Sequence, residues 1–131
     1  IPTDTWNGLN NNENQPIFNR VVNGTYPPGS VLKLIAVAIA LESGRTRKDW
    51  SIECKGTYQL GDRIYHCWKP DGHGLVNLRS SIKVSCNIFF YHLIQQMKFE
   101  EWSEMVKRFG FGKETNIDLP SESSGIVPTR K

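Results

Sequence analysis

A chain of 131 residues with 38% hydrophobic and 11% aromatic side chains has the length for one core and too much apolar content to stay disordered. Its 16 basic and 13 acidic residues leave a net charge of +3, scattered along the chain, which argues against a nucleic-acid partner. No apolar run reaches the roughly 18 to 20 residues of a bilayer span, and the start on Ile1-Pro2 and stop at Thr129-Arg130-Lys131 read as a piece cut from something longer.

Residues 1–16 are polar and Asn-rich and read as a linker or loop. Asn23-Gly24-Thr25 spells a glycosylation sequon, a match too short to weigh. From Ser30 the apolar positions Val31, Leu32, Leu34, Ile35, Val37, Ala38, Ile39 and Leu41 cover nearly every face, which predicts a buried helix. Pro28-Gly29 breaks the chain before it and Gly44 offers the stop. The densest basic spot, Arg45-Thr46-Arg47-Lys48, follows that helix and suits its C-terminal dipole. Tyr58–Leu60 and Arg63–Tyr65 flank Gly61-Asp62 as a two-residue hairpin. Lys69 to Gly74 reads as a tight loop. Leu78–Val84, Ile88–Met97 and Glu100–Phe109 read as helices, the last acidic at its start and basic at its end. The tail from Gly110 is turn-rich.

Ser30 and Lys33 stand at i and i+3 and share a helix face. A serine hydroxyl attacks only when a base takes its proton, and a lysine is that base only when its surroundings lower its pKa. An apolar helix supplies such surroundings, and its N-terminus points N–H groups at a developing oxyanion. The competing reading is a helix cap and a solvated lysine. Spacing alone does not decide, because Ser80-Ser81-Ile82-Lys83 repeats it. Context favours Ser30, which opens an apolar helix, whereas Lys83 lies on a polar-faced segment. Ser85-Cys86-Asn87 adds a hydroxyl and an amide two residues apart, able to relay a proton and hold a carbonyl, or else to cap the next helix.

Three stretches carry a likeness in order: PIFNRVVNGTYPPGSVLK, KPDGHGLVNLRSSIKVSCNIFFY and RFGFGKETNIDLPSESSGIVPTR. They resemble the transpeptidase domain of class B penicillin-binding proteins, closest to the elongation type, whose Ser-x-x-Lys signature is well known. The resemblance implies an α+β fold: a mainly helical subdomain of the penicillin-binding and serine β-lactamase-like transpeptidase fold, with a small hairpin and most of the parent sheet absent. Residues 1–131 would form one partial domain, with 17–131 its helical part. It implies that Ser30 is acylated by stem peptides ending in D-Ala-D-Ala, with Lys33 as general base. Ser85 would join proton transfer and Asn87 would bind the substrate's peptide amide. β-Lactam antibiotics and a cell-wall glycosyltransferase complex would be partners. The place of work would be the periplasmic side of the envelope, the parent being anchored in the cytoplasmic membrane by a segment upstream. Two departures stand out. Leu34 replaces the family's usual proline, and the third motif, Lys-Thr-Gly or Lys-Ser-Gly, does not occur, so little or no turnover is expected of this piece alone.

The three cysteines fall in one pattern with a histidine, Cys54-x12-Cys67-x5-His73-x12-Cys86. Three thiolates and an imidazole are a composition for structural zinc. A disulfide between Cys54 and Cys67, or three unlinked thiols with His73 capping its loop, are the alternatives. Zinc on Cys86 would clamp Ser85 and Asn87 from behind. Two other functions stay open. One is a serine β-lactamase-like hydrolase, for which no water-activating carboxylate is evident. The other is a non-catalytic, zinc-stabilised interaction module that offers Trp50, Tyr58 and Trp68 as contacts, although core packing suits at least two of them.

Overall fold

The structure, a computed structural model, describes residues 1–130. The N-terminal segment, expected to be a loop, carries helix α1, Thr3–Asn10, which buries no residue. Its Asn, Thr and Asp residues favour turns over helices, so the sequence hides it. Ile1–Pro27 and Lys107–Pro128 form one compact unit, and Pro28–Val106 with the stretch from Thr129 forms another. In the first unit the two chain ends bond to each other: Ser123 N–H donates to the Val22 carbonyl at 2.9 Å and Asn23 Nδ2 donates to the Ser121 carbonyl. No local pattern announces contacts about a hundred residues apart.

The second unit opens with a single 3-10 turn, Gly29–Val31, that runs into helix α2, Leu32–Glu42. Its end is a Schellman motif. Gly44 sits at φ +67, its N–H meets the Leu41 carbonyl, and Arg45 N–H meets the Ala40 carbonyl. Burial is one-sided: Ala36, Val37, Ile39 and Ala40 are buried while Val31 and Leu34 are 70% and 57% exposed. The expectation of an all-round buried helix is corrected to that extent.

Two small antiparallel sheets follow. Strand β1, Ser51–Cys54, pairs with β4, Gly74–Asn77, in the register Cys54↔Gly74. Between them β2, Thr57–Leu60, and β3, Arg63–His66, make the predicted hairpin, with Leu60 opposite Arg63 and Gly61 at φ +57 in the first turn position. The β1–β4 pair was not predicted, because four-residue strands twenty positions apart leave no hairpin signal.

Two loops are pressed together where these sheets meet. A Cβ on Gly56 (φ +87) would lie 1.8 Å from the Pro70 carbonyl oxygen, and one on Gly72 (φ +77) would lie 2.0 Å from that of Cys54. Only glycine fits either place. Helix α3, Leu78–Lys83, then starts on a capping box between Asn77 and Ser80. Helix α4, Asn87–Gln95, carries Ile88, Phe89, Phe90 and Leu93 into the core, where they meet Ala36, Val37, Ala40, Val76, Leu78 and the three cysteines. Helix α5, Phe99–Arg108, is acidic in its first turn and basic in its last, and its Glu101 pairs with Arg45 at 2.8 Å. Among the described residues no helix is long and apolar enough to cross a membrane.

Candidate active site

Ser30 lies in the 3-10 turn before α2, exposed, and the helix N-terminus has no side-chain cap. Its hydroxyl is therefore not spent on capping. It accepts a hydrogen bond from Ser85 Oγ at 3.1 Å, across 55 residues of sequence. The second Ser-x-x-Lys has the opposite fate. Ser80 caps α3 through Asn77, and Lys83 stands exposed in the last turn of that helix.

Lys33 is the second residue of α2 and reaches toward the start of α4. Its ammonium donates to the Ser85 carbonyl at 2.8 Å, to Ser85 Oγ at 2.9 Å and to Asn87 Oδ1 at 2.7 Å. Phe90 floors it, with the ring centroid 5.3 Å from Nζ. Burial holds the Lys33 pKa below its ordinary value, a shift that negative charge on Cys67 and Cys86 partly opposes. Lys33 therefore meets Ser30 through Ser85. No carboxylate takes part in these contacts among the described residues.

Ser85 reaches both neighbours through an uncommon backbone. Its φ is +49, a left-handed conformation that a non-glycine residue adopts at a cost of about 1 kcal/mol. The flanking bonds hold it there: Ser85 N–H to the Ile82 carbonyl and Cys86 N–H to the Ser81 carbonyl. The result turns the carbonyl and the hydroxyl of one residue toward one ammonium. Asn87 opens α4 without capping it, and its Nδ2 donates to the His66 carbonyl at 3.4 Å. Sequence reasoning named all four polar residues. It missed the Ser85 carbonyl, the Phe90 floor and the His66 carbonyl, which are matters of backbone path and carry no motif.

Behind this group, Cys54, Cys67, His73 and Cys86 converge, with all four ligand atoms within 4.8 Å of one another. Cys54 ends β1, Cys67 follows β3, His73 precedes β4 and Cys86 precedes α4. His73 Nδ1 is 3.6 Å from Cys54 Sγ and 3.5 Å from Cys67 Sγ. Around a tetrahedral zinc with ordinary bond lengths, sulfur and nitrogen ligands stand about 3.6 Å apart. The donor set and its spacing fit such an ion. All three cysteines are unpaired thiols. Burial pushes Cys86 up to about 12, while Cys67 is lowered: burial raises it, and hydrogen bonds from the Lys69, Asn87 and Ile88 backbone and the Cys54 thiol outweigh that. His73 is lowered by burial and then by the fields of Lys69 and Lys33, which favours the neutral imidazole that a metal takes. The other two histidines stand outside this set: the His92 ring packs edge-on to Tyr58 at 4.6 Å, and His66 contributes its carbonyl to Asn87. Trp50 packs on Phe89 at 4.8 Å and Tyr58 on Tyr91 at 5.9 Å, while Trp68, 61% exposed, is the most open of the three, with its ring 5.0 Å from that of His73.

The chain belongs to the penicillin-binding protein transpeptidase family, whose domain model (Penicillin binding protein transpeptidase domain) matches residues 3–131. Within that family it is similar to the elongation-type members named penicillin-binding protein 2 or MrdA. Peptidoglycan D,D-transpeptidase MrdA of Acinetobacter baumannii is 40% identical over 127 residues, 94% of this chain and 19% of the relative. Its counterpart in Escherichia coli K12 is 35% identical over 133 residues, 100% of this chain and 21% of the relative. Penicillin-binding protein 2 of Helicobacter pylori, solved alone and in complex with MreC, superposes with a TM-score of 0.90 at 34% identity, over 98% of this chain and 24% of that one. The chain thus spans about a fifth of the length of the curated relatives it matches.

Proposed function

We propose that this chain is the nucleophile-bearing part of a peptidoglycan D,D-transpeptidase, and that Ser30 is acylated with Lys33 acting through Ser85. The supporting observation is the choice of partners around Lys33. Two of its three acceptors, the Ser85 carbonyl and Asn87 Oδ1, can only accept. When the ammonium loses a proton, its two remaining N–H bonds stay on those oxygens. The lone pair then faces Ser85 Oγ, the one partner able to donate. Ser85 gives its proton to Lys33 and takes the Ser30 proton as Ser30 Oγ attacks the carbonyl of the penultimate D-alanine. The C–N bond breaks, the terminal D-alanine leaves with the proton returned along the same route, and an amine of a second stem peptide resolves the ester.

A β-lactam follows the first half of this path: the ring C–N bond opens, the ring nitrogen takes the proton, and the acyl group stays on Ser30. Asn87 holds Lys33 with its oxygen and has its amide N–H2 left for substrate beyond a long bond to the His66 carbonyl. Zinc on Cys54, Cys67, His73 and Cys86 would be structural, fixing the backbone of Ser85 and Asn87 without touching substrate. The partners would be those of the envelope machinery to which the relatives belong, including an MreC-like scaffold and a glycosyltransferase, on the outer side of the cytoplasmic membrane.

The test is intact-mass spectrometry of the full-length protein after brief exposure to benzylpenicillin, with peptide mapping. The expected result is one penicilloyl adduct on Ser30 that Ser30→Ala abolishes. A folded full-length protein without an adduct, or with one elsewhere, overturns the reading.

A further inference from the structure

A serine holds a φ of +49 only where its surroundings over-determine it, and the bond concerned joins Ser85 to the peptide unit it shares with Val84. If that unit could turn, φ would relax toward the negative values that any side chain prefers. Both of its polar atoms are held. Its N–H, that of Ser85, donates to the Ile82 carbonyl at 3.1 Å within the end of α3. Its carbonyl, that of Val84, accepts from the Trp68 indole N–H at 2.9 Å. This second bond comes from outside the helix, since Trp68 follows β3 and stands 16 residues before Val84. With the unit fixed on both sides, φ can relax only by swinging Ser85 itself, against the two bonds that its carbonyl and hydroxyl accept from Lys33.

Core packing does not explain Trp68, which is 61% exposed. Its ring meets that of His73 at 5.0 Å, and His73 Nε2 is buried with no hydrogen-bond partner among the described residues. One indole thus faces two places, a member of the cysteine and histidine set with its ring and the backbone before Ser85 with its N–H. We propose that Trp68 is a positioning residue for acyl transfer, its indole N–H locking the Val84–Ser85 peptide unit so that the Ser85 hydroxyl stays between Lys33 and Ser30. The proposal rests on the acyl-transfer reading of Ser30 and adds to it a residue that touches neither substrate nor proton. Without the donor the unit turns, Ser85 leaves its left-handed conformation, and its hydroxyl no longer spans the 2.9 Å to Lys33 Nζ and the 3.1 Å to Ser30 Oγ together. A relay of two such bonds tolerates little displacement. Stability is affected less, because water replaces the lost donor in an exposed bond. The lock therefore shows in the rate and not in the fold.

The experiment uses the full-length protein and benzylpenicillin, with stopped-flow rates resolved into the Kd of the initial complex and the rate constant of acylation within it. Trp68→Phe keeps an aromatic ring beside His73 and removes the donor. A second variant carries 3-benzothienylalanine in place of Trp68, which keeps the indole shape with sulfur where the N–H was, and it carries the test alone if the phenyl variant does not fold. Both are expected to lower the acylation rate constant about tenfold, the scale of one lost hydrogen bond and the misplacement it allows, with Kd, melting temperature and metal content unchanged. In a Ser85→Ala background the same changes should cost less than about twofold, because a residue that acts through Ser85 has nothing left to place. A rise in Kd with the rate constant intact overturns the proposal, since Trp68 would then touch the antibiotic directly. An equal loss with and without the Ser85 hydroxyl overturns it too, as does a benzothienyl variant that reacts at the wild-type rate. So does a fall in melting temperature or metal content that tracks the rate in both variants, for Trp68 would then serve the fold. Failure of the underlying reading looks different: benzylpenicillin would leave Ser30 of the wild type unlabelled.

Discussion

A proton relay through Ser85 makes a claim about pH. The base form of Lys33 is the neutral amine, and burial lowers the pKa at which that form appears. Acylation by benzylpenicillin should therefore rise with pH and level off below the range where ordinary lysines, near pKa 10.4, lose their proton. A plateau only above that range, read from the pH profile of the second-order rate constant, would contradict a lowered base. Ser85→Ala removes the relay but leaves Lys33 and Ser30 in place, so acylation should slow by roughly 10² to 10⁴-fold, the usual worth of positioned proton transfer. Stopped-flow rates check this, and a loss under tenfold would mean that Lys33 reaches Ser30 without help. These residues were legible in the sequence through context rather than spacing: Ser30 follows Pro28-Gly29 and opens an apolar helix, which the second Ser-x-x-Lys does not. Their connection was not. That Ser85 would take a positive φ and turn its carbonyl to Lys33 depends on helix α3 ending two residues earlier and on Cys86 being buried behind it.

At the scale of elements, the strand ends and the loops between them decide whether four donors meet. Gly72→Ala places a methyl group 2.0 Å from the Cys54 carbonyl at a positive φ, so β1 and its cysteine must move. A loss of about 3 kcal/mol or more is expected, seen as a fall in melting temperature and in bound metal together. Retention of both would show that the loops have room to part. Cys86→Ser keeps a small polar side chain but weakens a thiolate ligand, and metal content and acylation rate should drop in parallel while the helices persist by circular dichroism. The elements themselves were unequally readable. The β2–β3 hairpin and helices α2 to α5 follow from turn residues and periodicity within a few positions. Helix α1 is written in residues that elsewhere make turns, and β1 and β4 pair only because Gly56 and Gly72 let their loops close.

On the scale of the whole chain, Cys54, Cys67 and Cys86 belong to the same buried cluster as Phe89 and Leu93. A metal held by them would make metal and core one cooperative object. Protein purified without added zinc should hold about one equivalent, and a content under about 0.2 would end the zinc reading, since structural sites bind with apparent energies of about 10 to 16 kcal/mol. Chelation should lower the melting temperature steeply, because each kcal/mol is worth roughly 4 to 8 °C in a unit of this size. The position of Cys86 between Ser85 and Asn87 also exposes the molecule to poisoning from its unreactive side. A soft ion such as silver, competing for the thiolates, needs no likeness to peptide or antibiotic. Substitutions around Ser30 that confer drug resistance would give no protection against it, because the assault arrives through the ligands that keep Ser85 in place.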